Sequence, residues 1–220
     1  MKNIFDSEGK LMTFLDGFAD VMVLAILWVI CSLPIITVGA STTAFYSVMM
    51  KLVVGEESYV VRSFFKAFKE NFKISTIVWL IMGTIGGLVC TSLYIVFNSS
   101  KVGSKLFYAL PFYLLVLIIY TMTILTINFV FPYIAKFYDT VKRTLMISLI
   151  FSTRHFIQSI LLIIIDVAIF IFAFKIPALF ILFPLISGFC HAKVYQKIFA
   201  KIIDARDEEN SESNMVQELD

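Results

Sequence analysis

The chain has 220 residues, 60% of them hydrophobic and only 15% charged, with a net charge of +2 and a mean hydropathy of +0.91. A soluble chain carries about 25% charged residues, so a water-soluble globule is excluded. The bases are spread among the connecting segments without an aromatic-basic motif, so no nucleic-acid footprint is present either.

Four stretches carry no Asp, Glu, Lys or Arg: residues 21–50, 74–100, 106–135 and 176–192. A fifth, 155–174, carries one acid, Asp166. A bilayer core takes about 20 apolar residues as helix, and open strands cannot satisfy their backbone in lipid. The expected fold is therefore an all-α membrane bundle of about five transmembrane helices.

The first span is expected over 17–38, ended by Pro34 and Gly39. Four acids precede it (Asp6, Glu8, Asp16, Asp20) against Lys2 and Lys10, which argues against a cleaved signal peptide despite Val38-Gly39-Ala40. Residues 35–50 are apolar but short, and read as a re-entrant or interfacial segment; were they to cross, there would be six spans. Residues 59–73 place Val60, Phe64, Phe68 and Phe72 on one side and Arg62, Lys66, Lys69 and Lys73 on the other. That is the pattern of a basic amphipathic helix lying in the headgroup region. It would serve either as a topology anchor or as a docking surface.

The second span is expected over 74–97, with Gly83-xxx-Gly87 permitting close helix approach. The third runs over 106–131, with Pro111 near its start and Pro132 after its end. The fourth runs over 154–174, and the fifth over 176–196 with Pro177 and Pro184 inside it. Residues 1–203 form one polytopic domain. From Asp204 to Asp220 there are seven acids and one base, which predicts a disordered acidic tail.

Lys and Arg in short loops set orientation. With the N-terminus outside, 13 bases lie inside and five outside (Lys2, Lys10, Lys101, Lys105, Lys175). The expected arrangement is therefore a multi-pass cell-membrane protein, N-terminus outside and C-terminus cytoplasmic, with the lipid bilayer as its first partner. The body outside the tail has 17 bases and nine acids, which suits anionic headgroups.

Asp166 lies near the middle of its apolar stretch, where an acid costs a few kcal/mol. It must be neutral, paired or facing a wet cavity. It is either a proton or cation site or a neutral acid bonded to a neighbouring helix. Counting about 1.5 Å per residue, Tyr120, Thr121 and Ser187 lie at a similar depth. His191 lies roughly 7 Å nearer the inner face by the same rise, and reaches Asp166 only if helices tilt; otherwise it is a packed or interfacial histidine. The third helix also carries Thr123, Thr126 and Asn128, which either bond between helices or line a path.

Enzyme signatures such as HExxH, GxSxG and the phosphate-cradling GxxxxGK[ST] are absent. With two histidines and no CxxC pair among Cys31, Cys90 and Cys190, no catalytic, cofactor or metal site is expected.

The run Trp28 to Tyr46 contains Leu33-Pro34-x-x-Thr37-x-Gly39-x-Ser41 and then a small-residue helix with an aromatic. Together with Phe64 to Lys73 it resembles the YesL-like bacterial membrane proteins, a family of unknown function. The resemblance implies an accessory membrane component working beside carbohydrate ABC uptake, with sugar permease subunits as partners. It supplies no catalytic residues. In this reading Leu33, Pro34, Thr37, Gly39 and Ser41 form a partner or hinge motif, and Lys66 and Lys69 a docking surface. The alternatives are a small autonomous transporter or channel using Asp166, or a membrane scaffold.

Overall fold

The computed structural model describes residues 2–56, 59–98, 106–175 and 186–200. Among them the chain is helical with short connections: α1 (Lys2–Ser32), a 3-10 turn (Ile35–Thr37), α2 (Val38–Val54), α3 (Val60–Asn98), α4 (Leu106–Lys136), α5 (Val141–Arg154) and α6 (Phe156–Lys175). Residues 186–200 form α7. The predicted fifth span falls partly, and the acidic tail wholly, outside the described residues.

The break after α1 comes at Leu33 and Pro34, six residues earlier than expected. Proline disfavours helical backbone at the residue before it and donates no hydrogen bond. Gly39 is not a breaker. It sits inside α2, where a Cβ would stand 2.5 Å from the Ser75 carbonyl oxygen and 2.7 Å from Trp79 Cβ. Its missing side chain is what lets α2 meet α3. α2 ends at Gly55, whose φ of 75° suits glycine. The Gly55 and Glu56 N–H groups donate to Leu52 O and Lys51 O, closing the last turn as a Schellman cap.

Residues 60–98 are one unbroken helix of 39 residues, about 58 Å long. The amphipathic helix predicted over 59–73 is thus the first part of α3 rather than a separate element. Val60, Phe64, Ala67, Asn71, Ser75, Val78 and Met82 are buried along it. This stripe has the spacing of one helix face and runs straight through the predicted boundary at residue 74. The expected close approach at Gly83 and Gly87 is not used among the described residues, where a Cβ at either would meet nothing within 4 Å.

α4 continues through Pro132 to Lys136. The predicted inner loop 132–154 is the end of α4, a short linker at 137–140, and α5. α5 and α6 meet at His155 with a bend of 92°.

The side-chain bonds fix helix directions. Ser32 to Ser41 and Trp28 to Thr42 make α1 and α2 an antiparallel hairpin. Ile35 to Trp79 and Thr43 to Ser75 make α2 and α3 antiparallel as well. Tyr46 to His191 and Met50 to Gln196 set α7 parallel to α2. The core gathers around α2: Ala44, Phe45, Val48 and Met49 pack with Leu24, Phe64, Phe129, Leu162 and Tyr195. The hairpin sets a direction: α2 runs back alongside α1, so α3 begins toward the side from which α1 comes.

By length and composition, Ile35–Val54, Val60–Ser92 and Leu114–Lys136 could each cross a bilayer, and α5 with α6 could form a fourth span if the bent pair counts as one.

Candidate functional site

α7 repeats a polar or aromatic residue every fourth position: Ser187, His191, Tyr195 and Phe199. At helical spacing these share one face, and all four are buried. That face turns toward α6 and α2. Ser187 Oγ donates to Asp166 Oδ1 at 2.6 Å. His191 Nε2 stands 3.4 Å from Asp166 Oδ2, inside ion-pair range but not aligned for a hydrogen bond. The other ring nitrogen, Nδ1, is 2.9 Å from the Tyr46 hydroxyl, and the two rings lie parallel, 4° apart. A continuous chain of polar atoms thus runs Ser187–Asp166–His191–Tyr46 across three helices.

His191 is 2% exposed while the Asp166 side chain is 29% exposed. The carboxylate is at the rim of the cluster and the imidazole is inside it. A buried imidazole between a carboxylate and a phenol can take a proton on one nitrogen and give one from the other. Packing and hydrogen bonding also hold the three helices in register.

Tyr195 closes the cluster from the same helix. Its hydroxyl donates to the Asn128 carbonyl oxygen at 2.5 Å. The reason lies four residues along α4. Pro132 has no N–H, so the Asn128 carbonyl loses its helical donor, and Tyr195 supplies the replacement. Neither Tyr46 nor Tyr195 was among the predicted site residues. The four-residue spacing on α7 carried a signal for Tyr195; Tyr46 ends the motif run Trp28 to Tyr46, but at 145 positions from His191 nothing signalled that the two would meet.

Of the predicted group, Ser187 and His191 do meet Asp166, and helix packing closes the depth gap expected for His191. Tyr120 and Thr121 do not meet it. α4 touches α7 at Asn128, two turns from that pair, and Thr121 is exposed with its hydroxyl bonded to Leu117 O. Thr123 and Thr126 also bond carbonyls of their own helix, as does the Asn128 side chain. These side chains are satisfied within α4 rather than strung along a path.

The second predicted group is the corner. Thr37 Oγ1 donates to Cys31 O and Pro34 O, at 2.6 and 2.8 Å. Ser41 Oγ and Ser32 Oγ lie 2.6 Å apart, and Trp79 Nε1 donates to Ile35 O at 2.9 Å. Each polar motif residue therefore ties one side of the turn to the other or to α3. Leu33 and Pro34 themselves point outward.

Lys66 and Lys69 are exposed on α3, beside Phe65 and Phe72, which are exposed too. On the same helix Glu70 accepts a hydrogen bond from Tyr138 at 3.2 Å. Local desolvation, then the Glu70 carboxylate, hold that phenol above its ordinary range. The 137–140 linker is pinned from its other end by Asp139, which accepts from Tyr133 and pairs with Arg143 at 3.4 Å. Beside the C-terminal ends of α2 and α4 and residues 196–200 of α7 there is a pocket of about 360 Å³, lined among others by Met50, Lys51, Lys136, Gln196 and Phe199.

Among the described residues no group of three His, Cys, Asp or Glu stands together as a metal site. The chain matches no curated protein and no solved structure. Residues 21–93 match the model of a family described as "Protein of unknown function, DUF624". That match runs from within α1 through most of α3 and contains the corner motif, so over this segment the chain is similar to that family.

Proposed function

We propose that this multi-pass membrane protein is an accessory component of the cell membrane that works by docking to another membrane protein. The observation that carries this reading is the two-sidedness of α3. Val60, Phe64, Ala67 and Asn71 are buried in the bundle, while Arg62, Lys66, Lys69 and Lys73 face outward with Phe65 and Phe72 among them. Such a face, rigid because its other side is packed, combines charge for partner selection with aromatic area for affinity. The family resemblance points to sugar ABC permease subunits as the partner class. The test is Lys66→Glu with Lys69→Glu, followed by mild-detergent affinity purification from native membranes. The reading expects insertion to persist and the co-purifying permease to be lost. Retention of both overturns it.

A second reading is favoured by a separate observation, the Asp166–His191–Tyr46 chain. Here the protein is a small transporter moving protons or cations, with Asp166 as the binding carboxylate. Reconstituted flux abolished by Asp166→Asn supports it; unchanged flux removes it. The α4 hydroxyls bonded within their own helix weigh against a continuous polar path.

A further inference from the structure

We infer that α1, the corner and α2 form a hairpin that enters the bilayer from the inner side, with its tip in the inner leaflet, so that both ends of the described chain lie inside. The partner of its exposed tip is lipid acyl chain. This inference does not depend on the docking reading.

Three observations carry it. The hairpin is antiparallel and bonded across its corner, so the start of α1 and the end of α2 share a side. The corner lies beside Ser75 and Trp79, near the middle of α3. Past Trp79, α3 runs on through 19 residues, 80–98, with no charge, about 28 Å of helix. If α1 and α2 both crossed, the corner would stand at the far surface and this apolar length would project into water. The hairpin therefore stops short.

The tip residues support the same placement. Leu33 is 75% exposed, Ile35 76% and Ile36 58%. No charge occurs from Val21 to Met50, whereas charges flank that stretch at Asp16, Asp20 and Lys51. An apolar tip between charged bases is the pattern of an element dipping into lipid from one face.

Orientation follows from the bases. α3 starts on the side where α1 starts, and Arg62, Lys66, Lys69 and Lys73 belong to its first part. With that side inside, only Lys101, Lys105 and Lys175 of the 18 Lys and Arg fall outside, leaving 15 inside. The expectation of an outer N-terminus left five outside. The hairpin arrangement obeys the inner bias of positive charge more closely.

Single-cysteine variants test it, made after replacing Cys31, Cys90 and Cys190 with serine. Intact cells are treated with a membrane-impermeant maleimide, and again after permeabilisation. Lys101→Cys is the outer reference and Lys142→Cys the inner one. Asp16→Cys is expected to react only after permeabilisation, as Lys142→Cys does. Reaction in intact cells at the Lys101→Cys level overturns the inference. Glu8→Cys gives the same readout should Asp16→Cys not accumulate. For the tip, Ile35→Cys is expected to label at least tenfold more slowly than Lys142→Cys in opened membranes. Equal rates would put the corner in water and refute lipid insertion.

Discussion

Gly39→Ala isolates the contact on which the α2–α3 pairing rests. The new methyl would lie 2.5 Å from Ser75 O and 2.7 Å from Trp79 Cβ. Neither is the free end of a flexible side chain, so the helices must part by several tenths of an ångström or more. Overpacking of this kind costs about 1–3 kcal/mol. The better helix propensity of alanine offsets at most about 1 kcal/mol. Two hydrogen bonds straddle the contact, Thr43 to Ser75 at 2.8 Å and Trp79 to Ile35 O at 2.9 Å, and loosening either costs about 1 kcal/mol more. The net expectation is a loss of roughly 1–3 kcal/mol, which lowers Tm by about 2–4 °C per kcal/mol for a chain of this size. Tryptophan fluorescence of the purified protein in detergent reads this directly. The chain has two tryptophans, Trp28 and Trp79, and both bond to the corner or the helix after it. Gly83→Ala is the control, because a methyl there meets nothing within 4 Å. If Gly39→Ala melts at or above the unsubstituted protein, or if Gly83→Ala falls as far, the close-packing argument is wrong.

Tyr195→Phe should cost about 1–3 kcal/mol by orphaning the Asn128 carbonyl. In a Pro132→Ala background, where a helical N–H returns to that carbonyl, the same change should cost less, by about 1 kcal/mol in a double-mutant cycle of thermal melts. Equal costs in both backgrounds would show that Tyr195 is not compensating for the proline. Gly188→Ala places a methyl against the Phe45 ring, and a Tm drop of several degrees is expected, rescued in part by Phe45→Leu. Absence of rescue would place the strain elsewhere. Ser187→Ala removes a hydroxyl from Asp166 and should lower stability by about 1 kcal/mol, the usual cost of losing one hydrogen bond. In an Asp166→Ala background it should be close to silent; an undiminished cost there would mean the bond contributes nothing.

The proposed functions separate by where the damage appears. Loss of docking leaves the buried cluster intact, since Lys66 and Lys69 are exposed on α3. Loss of Asp166 leaves that outer face intact, since Asp166 bonds α7. A variant that fails in one assay and passes in the other therefore identifies the surface responsible.

Hydropathy alone established a membrane protein built of helices, because uncharged runs of 25 residues and more have no other stable place. It also singled out Asp166, an acid in an apolar run, while Pro34 and Gly39 read as a local break and the motif around them was marked by the family resemblance. Helix ends were less legible. Pro132 reads as a stop, yet α4 continues because a tyrosine from another helix satisfies the carbonyl the proline abandons. Residues 59–73 read as a separate surface helix, but packing against α2 makes 60–73 the start of α3. The partnership of His191 with Asp166 and Tyr46, and the antiparallel pairing of α1 with α2, were decided by tertiary structure. Both depend on which helix lies beside which and in what direction. Charge and hydropathy act along the chain and through the solvent; the direction of a hairpin is set by a few side-chain contacts, such as Ser32 to Ser41 and Gly39 to Ser75, between residues whose types do not announce each other.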